Sequence, residues 1–343
     1  MKTKAAILFK LNAPLQVAKI EVPKLKKGQL LVKILASGIC HSQLNEISGL
    51  RGPDKYLPHL LGHEGSGIVK EIGTGVTKVK RGDRVVLSWI VGKGLDVPSA
   101  QYLLNNRIIN SGAITTFSEY AVVSENRATK IAKNIPAAPA ALLGCAVATG
   151  GGIVLHDLNI SKNSSLAVFG IGGVGSGVIL VGAMKGCRKI IAVDINKQKL
   201  EYAKELGATD SVIFKKDKIT YEINAICPGG VDFAVEASGV KEVMEKAFEA
   251  IKDTGLAVIA GNLKKGEKIS INPFDLILGK RIIGTWGGRA KMDEDIPYYA
   301  KAYLDGSLKL DKLITRKFKL EQINQAFALM EKQKSLGRMI LEL

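Results

Sequence analysis

Six residues constrain this chain more than any others: Gly170-Ile171-Gly172-Gly173-Val174-Gly175, a G-x-G-x-x-G run. Alone the pattern is weak. Here it directly follows the strand-like segment AVFG (167–170) and opens an apolar helical stretch that ends near Lys185. Each glycine then has a physical task. The first permits the tight turn, the second lets a pyrophosphate approach the backbone, and the third lets helix and strand pack closely. The helix N-terminus offers free N–H groups and a partial positive charge. Asp194 stands 19 positions after Gly175, at the end of the next strand-like segment, KIIAVD. A glycine loop serving packing alone accounts for neither the strand–turn–helix setting nor Asp194. A carboxylate there accepts from both hydroxyls of an adenosine ribose and repels a 2′-phosphate, which favours NAD over NADP. Lys199 either reaches the same ribose or is a solvated helix residue.

The segments around this motif set the fold class. From about residue 150, strand-like and helix-like segments alternate, which predicts a parallel, doubly wound sheet. Six strands are expected near 165–169, 189–193, 211–214, 231–235, 256–260 and 281–285, with Gly207 ending one helix and another running through VKEVMEKAFEAIKDTG. The first third reads differently. KAAILF, LQVAKIEV, QLLVKILA, GSGIVKEI, DRVVLSW and TFSEYAVV are short and apolar, separated by KKGQ, GTGV and KRGD. Short strands at that spacing predict a mainly-β, barrel-like domain. After about residue 286 two helical stretches and a terminal strand, RMILEL, remain, too little for a third domain. The expected division is therefore 1–148 with 286–343 as a discontinuous first domain, and 149–285 as the dinucleotide domain. A length of 343 residues suits two domains.

Composition excludes other classes. With 46% hydrophobic residues and four cysteines the chain is neither disordered nor a disulfide scaffold. No apolar run approaches the roughly 20 residues of a membrane-spanning helix. The start, MKTKAAILFKLN, is too short in its apolar part for a signal peptide. A soluble, cytoplasmic protein is expected. The net charge of +17 raises nucleic acid as a partner, but 39 of the 49 basic residues are lysines, scattered singly or in pairs. Phosphate and base recognition lean more on arginine. A Lys-rich solvated surface fits best, with an anionic small substrate as the second choice.

The chemistry lies in the first domain. It holds Gly38-Ile39-Cys40-His41-Ser42-Gln43, then Gly62-His63-Glu64-Gly65-Ser66-Gly67 followed by Gly73 and Val76, and later Gly144-Cys145-Ala146. With these motifs the sequence resembles, almost end to end, the zinc-dependent medium-chain alcohol dehydrogenases. Gly62 to Val76 matches their GHExxG signature at every defined position. The resemblance implies a GroES-like catalytic domain joined to a six-stranded Rossmann NAD-binding domain. It implies that Cys40, His63 and Cys145 ligate one catalytic zinc. Buried structural thiols and a core histidine are the bland alternative. Two thiolates and an imidazole would leave an open position for substrate.

Other roles follow from the same likeness. Ser42 stands where a hydroxyl relays the alcohol proton, and Glu64 where a carboxylate lies behind the metal. His41 and Arg338 stand where basic residues meet the cofactor phosphates, Thr149 beside the nicotinamide, and Trp89 in the substrate pocket. Gln43 replaces a usual Asp and Asn45 a usual relay histidine. Between Asp83 and Tyr120 there is no cysteine, so the lobe that holds a second, structural zinc in many members is not expected. Cys187 and Cys227 are expected to be free thiols. The implied reaction is reversible oxidation of an alcohol to an aldehyde or ketone by an NAD-dependent homodimer or homotetramer. A polyol, sugar or cyclitol dehydrogenase is the alternative within enzymes, and a nucleic-acid-binding or NAD-sensing protein the distant one.

Overall fold

The computed structural model describes residues 1–50, 52–264, 266–332 and 335–343. Its strands are β1 (Lys2–Leu8), β2 (Gln16–Glu21), β3 (Gln29–Ile39), β4 (His59–Leu60), β5 (Glu64–Ile72), β6 (Arg84–Ser88), β7 (Gln101–Leu104), β8 (Arg107–Asn110), β9 (Tyr120–Ser124) and β10 (Ala128–Ile131). There follow β11 (Ser165–Phe169), β12 (Lys189–Asp194), β13 (Asp210–Ile213), β14 (Val231–Glu236), β15 (Ile251–Ile259), β16 (Arg281–Gly284), β17 (Ile314–Lys319) and β18 (Arg338–Glu342). Two compact units form. One comprises Met1–Cys145, Lys291–Asp305 and Ile314–Leu343; the other Ala146–Ala290 and Gly306–Leu313. No helix among the described residues is long and apolar enough to cross a membrane.

The first unit is built on β3. Nine of its eleven residues, QLLVKILASGI, are buried, as an apolar run covered on both faces should be. It pairs antiparallel with β5 and β9, and its last residues, Ala36–Ile39, pair with β18. β1, β2, β7, β8 and β4 close a small barrel around Ala5, Ile7, Ile20, Leu60, Tyr102 and Ile109. The hairpin β7–β8 turns at Asn105 and Asn106, both at positive φ (48° and 67°). Asparagine tolerates that left-handed pair better than most side chains.

The second unit is a six-stranded parallel sheet in the order β13-β12-β11-β14-β15-β16, the doubly wound arrangement expected. Its helices start and stop on local chemistry. Asn196 Oδ1 accepts from the Gln198 N–H at 2.8 Å and caps the helix Lys197–Leu206. Gly207, at φ 117°, ends it. One boundary differs from expectation. The helix expected through 240–255 runs over Lys241–Glu249 and stops there, because Ile251 is buried and pairs with Val231, starting β15 early across an irregular register.

Candidate metal centre and dinucleotide site

The first unit gathers Cys40, His63, Glu64 and Cys145 so that one ligand atom of each lies within 4.8 Å of the others. Cys40 follows β3 and precedes the short helix His41–Ile47. Its own N–H donates to Gln43 Oε1 at 3.3 Å, so buried Gln43 holds the ligand's turn. The Ser42 hydroxyl donates to Cys40 Sγ at 3.3 Å. His63 follows Gly62, whose φ of 98° and packing against the Thr116 and Phe117 backbone exclude a side chain. Gly144 sits against the Leu87 carbonyl, where a Cβ would come within 2.3 Å. Its own carbonyl accepts from Ser88 Oγ at 2.6 Å, which fixes Cys145.

Electrostatics favour a cation at this point. A hydrogen bond from Cys145 holds the Cys40 thiol well below the ordinary range against the opposing effect of burial, with help from His63 and Arg338. Cys145 is correspondingly pushed up as the donor of the pair, although Trp89 donates to its sulfur. His63 Nε2 is buried with no hydrogen-bond partner, an orphan that a metal would satisfy. Two sulfurs, an imidazole and a carboxylate form a zinc-type donor set. Glu64 is fully buried. Its Oε1 pairs with the Arg338 guanidinium, while its Oε2 and Arg338 Nε have no partner. Gly38 makes room for that carboxylate, since a Cβ there would fall 2.5 Å from Glu64 Cδ.

A cavity of about 490 Å³ in the same unit is lined in part by His63, Gln43, Glu46, Asp54, His59 and Asn110. His59 Nε2 and Asp54 Oδ2 are 2.7 Å apart. Neither His59 nor Asp54 stood out in the sequence, because their partnership depends on a loop closing five residues apart.

In the second unit, Gly170 turns at φ 90°. A Cβ on Gly172 would meet nothing within 4 Å, whereas one on Gly175 would lie 2.1 Å from the Gly170 carbonyl. The middle glycine is thus open to a ligand and the last one is locked in packing. Gly173 and Val174 begin the helix Gly173–Met184. Asp194, nearly buried, accepts from Ile171 N–H at 2.8 Å and Asn196 N–H at 3.0 Å. Lys199 Nζ lies 3.9 Å from Asp194 Oδ2. Thr149 is buried in the helix Ala146–Gly152. That helix crosses the dinucleotide helix at Gly150, where a Cβ would come 2.5 Å from the Val174 carbonyl. The expected cofactor residues therefore divide between the units: Thr149, Gly170–Gly175, Asp194 and Lys199 in one, exposed His41 and buried Arg338 in the other.

Comparison with known proteins agrees with both halves. Residues 26–133 match the alcohol dehydrogenase GroES-like domain and residues 173–302 the zinc-binding dehydrogenase domain. The chain is 35% identical to the S-(hydroxymethyl)glutathione dehydrogenase of Synechocystis sp., over 99% of this chain and 100% of that protein. It is 34% identical to the class-3 alcohol dehydrogenase of Myxine glutinosa, over 99% of this chain and 97% of that one. The solved benzyl alcohol dehydrogenase of Acinetobacter calcoaceticus superposes with a TM-score of 0.91 at 28% identity, covering 100% and 99% of the two chains. The chain belongs to the zinc-dependent medium-chain alcohol dehydrogenase family.

Proposed function

We propose that this enzyme interconverts an alcohol and its aldehyde or ketone with NAD, using a zinc ion held by Cys40, His63 and Cys145. The observation that carries the reading is the buried, unpartnered His63 Nε2 beside a thiolate-prone Cys40. Zinc supplies Lewis-acid polarisation of the substrate oxygen, and NAD supplies the hydride acceptor. The chain supplies the rest. Ser42 Oγ takes the substrate hydroxyl proton and passes it on; with Asn45 in place of a base, the proton leaves through water. Glu64 and Arg338 set the charge behind the ligands. The N–H groups opening the helix Gly173–Met184 take the pyrophosphate, and Asp194 takes the ribose hydroxyls.

Metal analysis should find about one zinc per chain, the open catalytic site of a zinc enzyme. Cys40→Ser should lose both the metal and alcohol-dependent NADH formation. Normal turnover by a metal-free Cys40→Ser protein would overturn the mechanism.

A hydroxylated substrate is the second reading, favoured by the polar cavity wall of Asp54, His59, Gln101 and Asn110. A panel of benzyl alcohol, simple alcohols, polyols and S-hydroxymethylglutathione, ranked by kcat/KM, separates the two. We further propose a homodimer or homotetramer formed through the coenzyme unit. β16 ends its sheet, and Phe274, Leu276, Ile277 and Leu278 just before it are exposed.

A further inference from the structure

We infer that Glu236 is a positioning residue for the nicotinamide half of the dinucleotide, locking the loops after β14 and β15 against the glycine turn. The inference rests on the NAD reading above and concerns a residue that the proposed mechanism does not use. Glu236 is the last residue of β14 and is fully buried. It stands in register with Phe169, which precedes Gly170, and with Ile259 on the other side. Strand order reverses between β11 and β14. In such sheets a dinucleotide crosses the carboxyl ends of the strands at that reversal, one mononucleotide to each half. Asp194 and β11–β13 serve the adenosine half, which leaves β14–β16 for the nicotinamide half.

One residue ties that second half together, its side chain holding the loop after β14 and its main chain the loop after β15. Glu236 Oε1 accepts from the Ser238 N–H at 2.6 Å, the Ser238 hydroxyl at 2.6 Å and the Gly239 N–H at 2.8 Å. Its main-chain oxygen accepts from Ala260 and Gly261 at 2.8 and 3.1 Å. The two loops touch so closely that a Cβ on Gly261 would lie 2.3 Å from Gly239 N and 2.6 Å from Glu236 Oε2. On the other flank, a Cβ on Gly170 would lie 2.9 Å from Ser238 N. The glycine turn and the second-half loops are thus in direct contact, with Glu236 setting their register. Oε2 has no hydrogen-bond partner. Burial pushes this carboxyl up despite its donors. A half-satisfied buried acid is a poor choice for packing alone and a reasonable one where loop geometry matters to a ligand.

Glu236→Gln keeps the shape but puts a buried NH₂ either against three donors or at an unpartnered position. NADH titration by fluorescence should show the dissociation constant rise about tenfold, equivalent to about 1.4 kcal/mol. AMP, which needs only the adenosine half, should bind with unchanged affinity, and zinc content should not move. Ser238→Ala removes one donor and should shift NADH affinity the same way by less, which keeps the test open if Glu236→Gln folds poorly. Unchanged NADH affinity in both folded variants would overturn the assignment. So would proportional weakening of AMP and NADH, which marks a damaged unit. A wild-type protein that bound neither ligand would overturn the dinucleotide reading itself, and this inference with it.

Discussion

Arg338 and Glu64 form a buried ion pair in the first unit. Both are buried, and each leaves one atom unpaired. Removing one charge of such a pair strands the other, at a cost of about 3–5 kcal/mol. Arg338→Met should therefore lower stability by about that amount in denaturant unfolding, and adding Glu64→Gln should recover part of it. Equal stability of Arg338→Met and wild type would show that the pair is not energetically coupled. The role proposed for Asp194 is selectivity instead. Its carboxylate is held by the Ile171 and Asn196 N–H groups, so its lone pairs stay fixed where a ribose would lie. Asp194→Gly should lower the ratio of kcat/KM for NAD over NADP; an unchanged ratio would remove the basis for the cofactor assignment.

The loops around Glu125 show how the chain orders the stretches before β6 and between β6 and β7. Glu125 is buried, and its carboxylate accepts from Thr77, Lys78 and Leu95 N–H at 2.6, 2.7 and 2.9 Å. Burial alone would raise its pKa, but the Leu95, Lys78 and Thr77 donors hold it below the usual glutamate value. A carboxyl depressed in the folded state stabilises fully above its unfolded pKa, about 4.3, and loses that contribution as pH falls below it. Glu125→Ala, leaving buried donors unmatched, should cost about 1–3 kcal/mol at pH 7. The gap to wild type should narrow below about pH 4; a gap constant with pH would refute the ionic origin. These ties also mark where sequence reading reached and stopped. Gly170–Gly175 and Gly207 are legible because their tasks are local, as is the apolar run of β3. The β7–β8 hairpin escaped because its Asn105-Asn106 turn lacks the usual glycine. β17, ITRKFK, escaped because its exposed, charged pattern resembles a loop. The Glu64–Arg338 pair escaped because it joins residues 274 apart.

At the scale of the whole molecule, the two units divide the labour: one holds the candidate metal cluster and the other the glycine turn. The second also presents its open sheet edge. With β16 paired to β15 alone among the described residues, and Ile277 strongly exposed beside it, an unprotected edge invites a second copy. Light scattering should give a dimer or tetramer for wild type, and Ile277→Lys should shift it toward the monomer; a monomeric wild type would end that proposal. The discontinuity of the first unit has a consequence in time. During synthesis Glu64 leaves the ribosome 274 residues ahead of Arg338, roughly 15 to 55 seconds at about 5–20 residues per second. All of Ala146–Ala290 emerges in that interval, while β3 still awaits β18 along Ala36–Ile39. The coenzyme unit is therefore nearly complete before the first unit can close, and until Arg338 arrives Glu64 lacks the guanidinium that it pairs with in the finished fold.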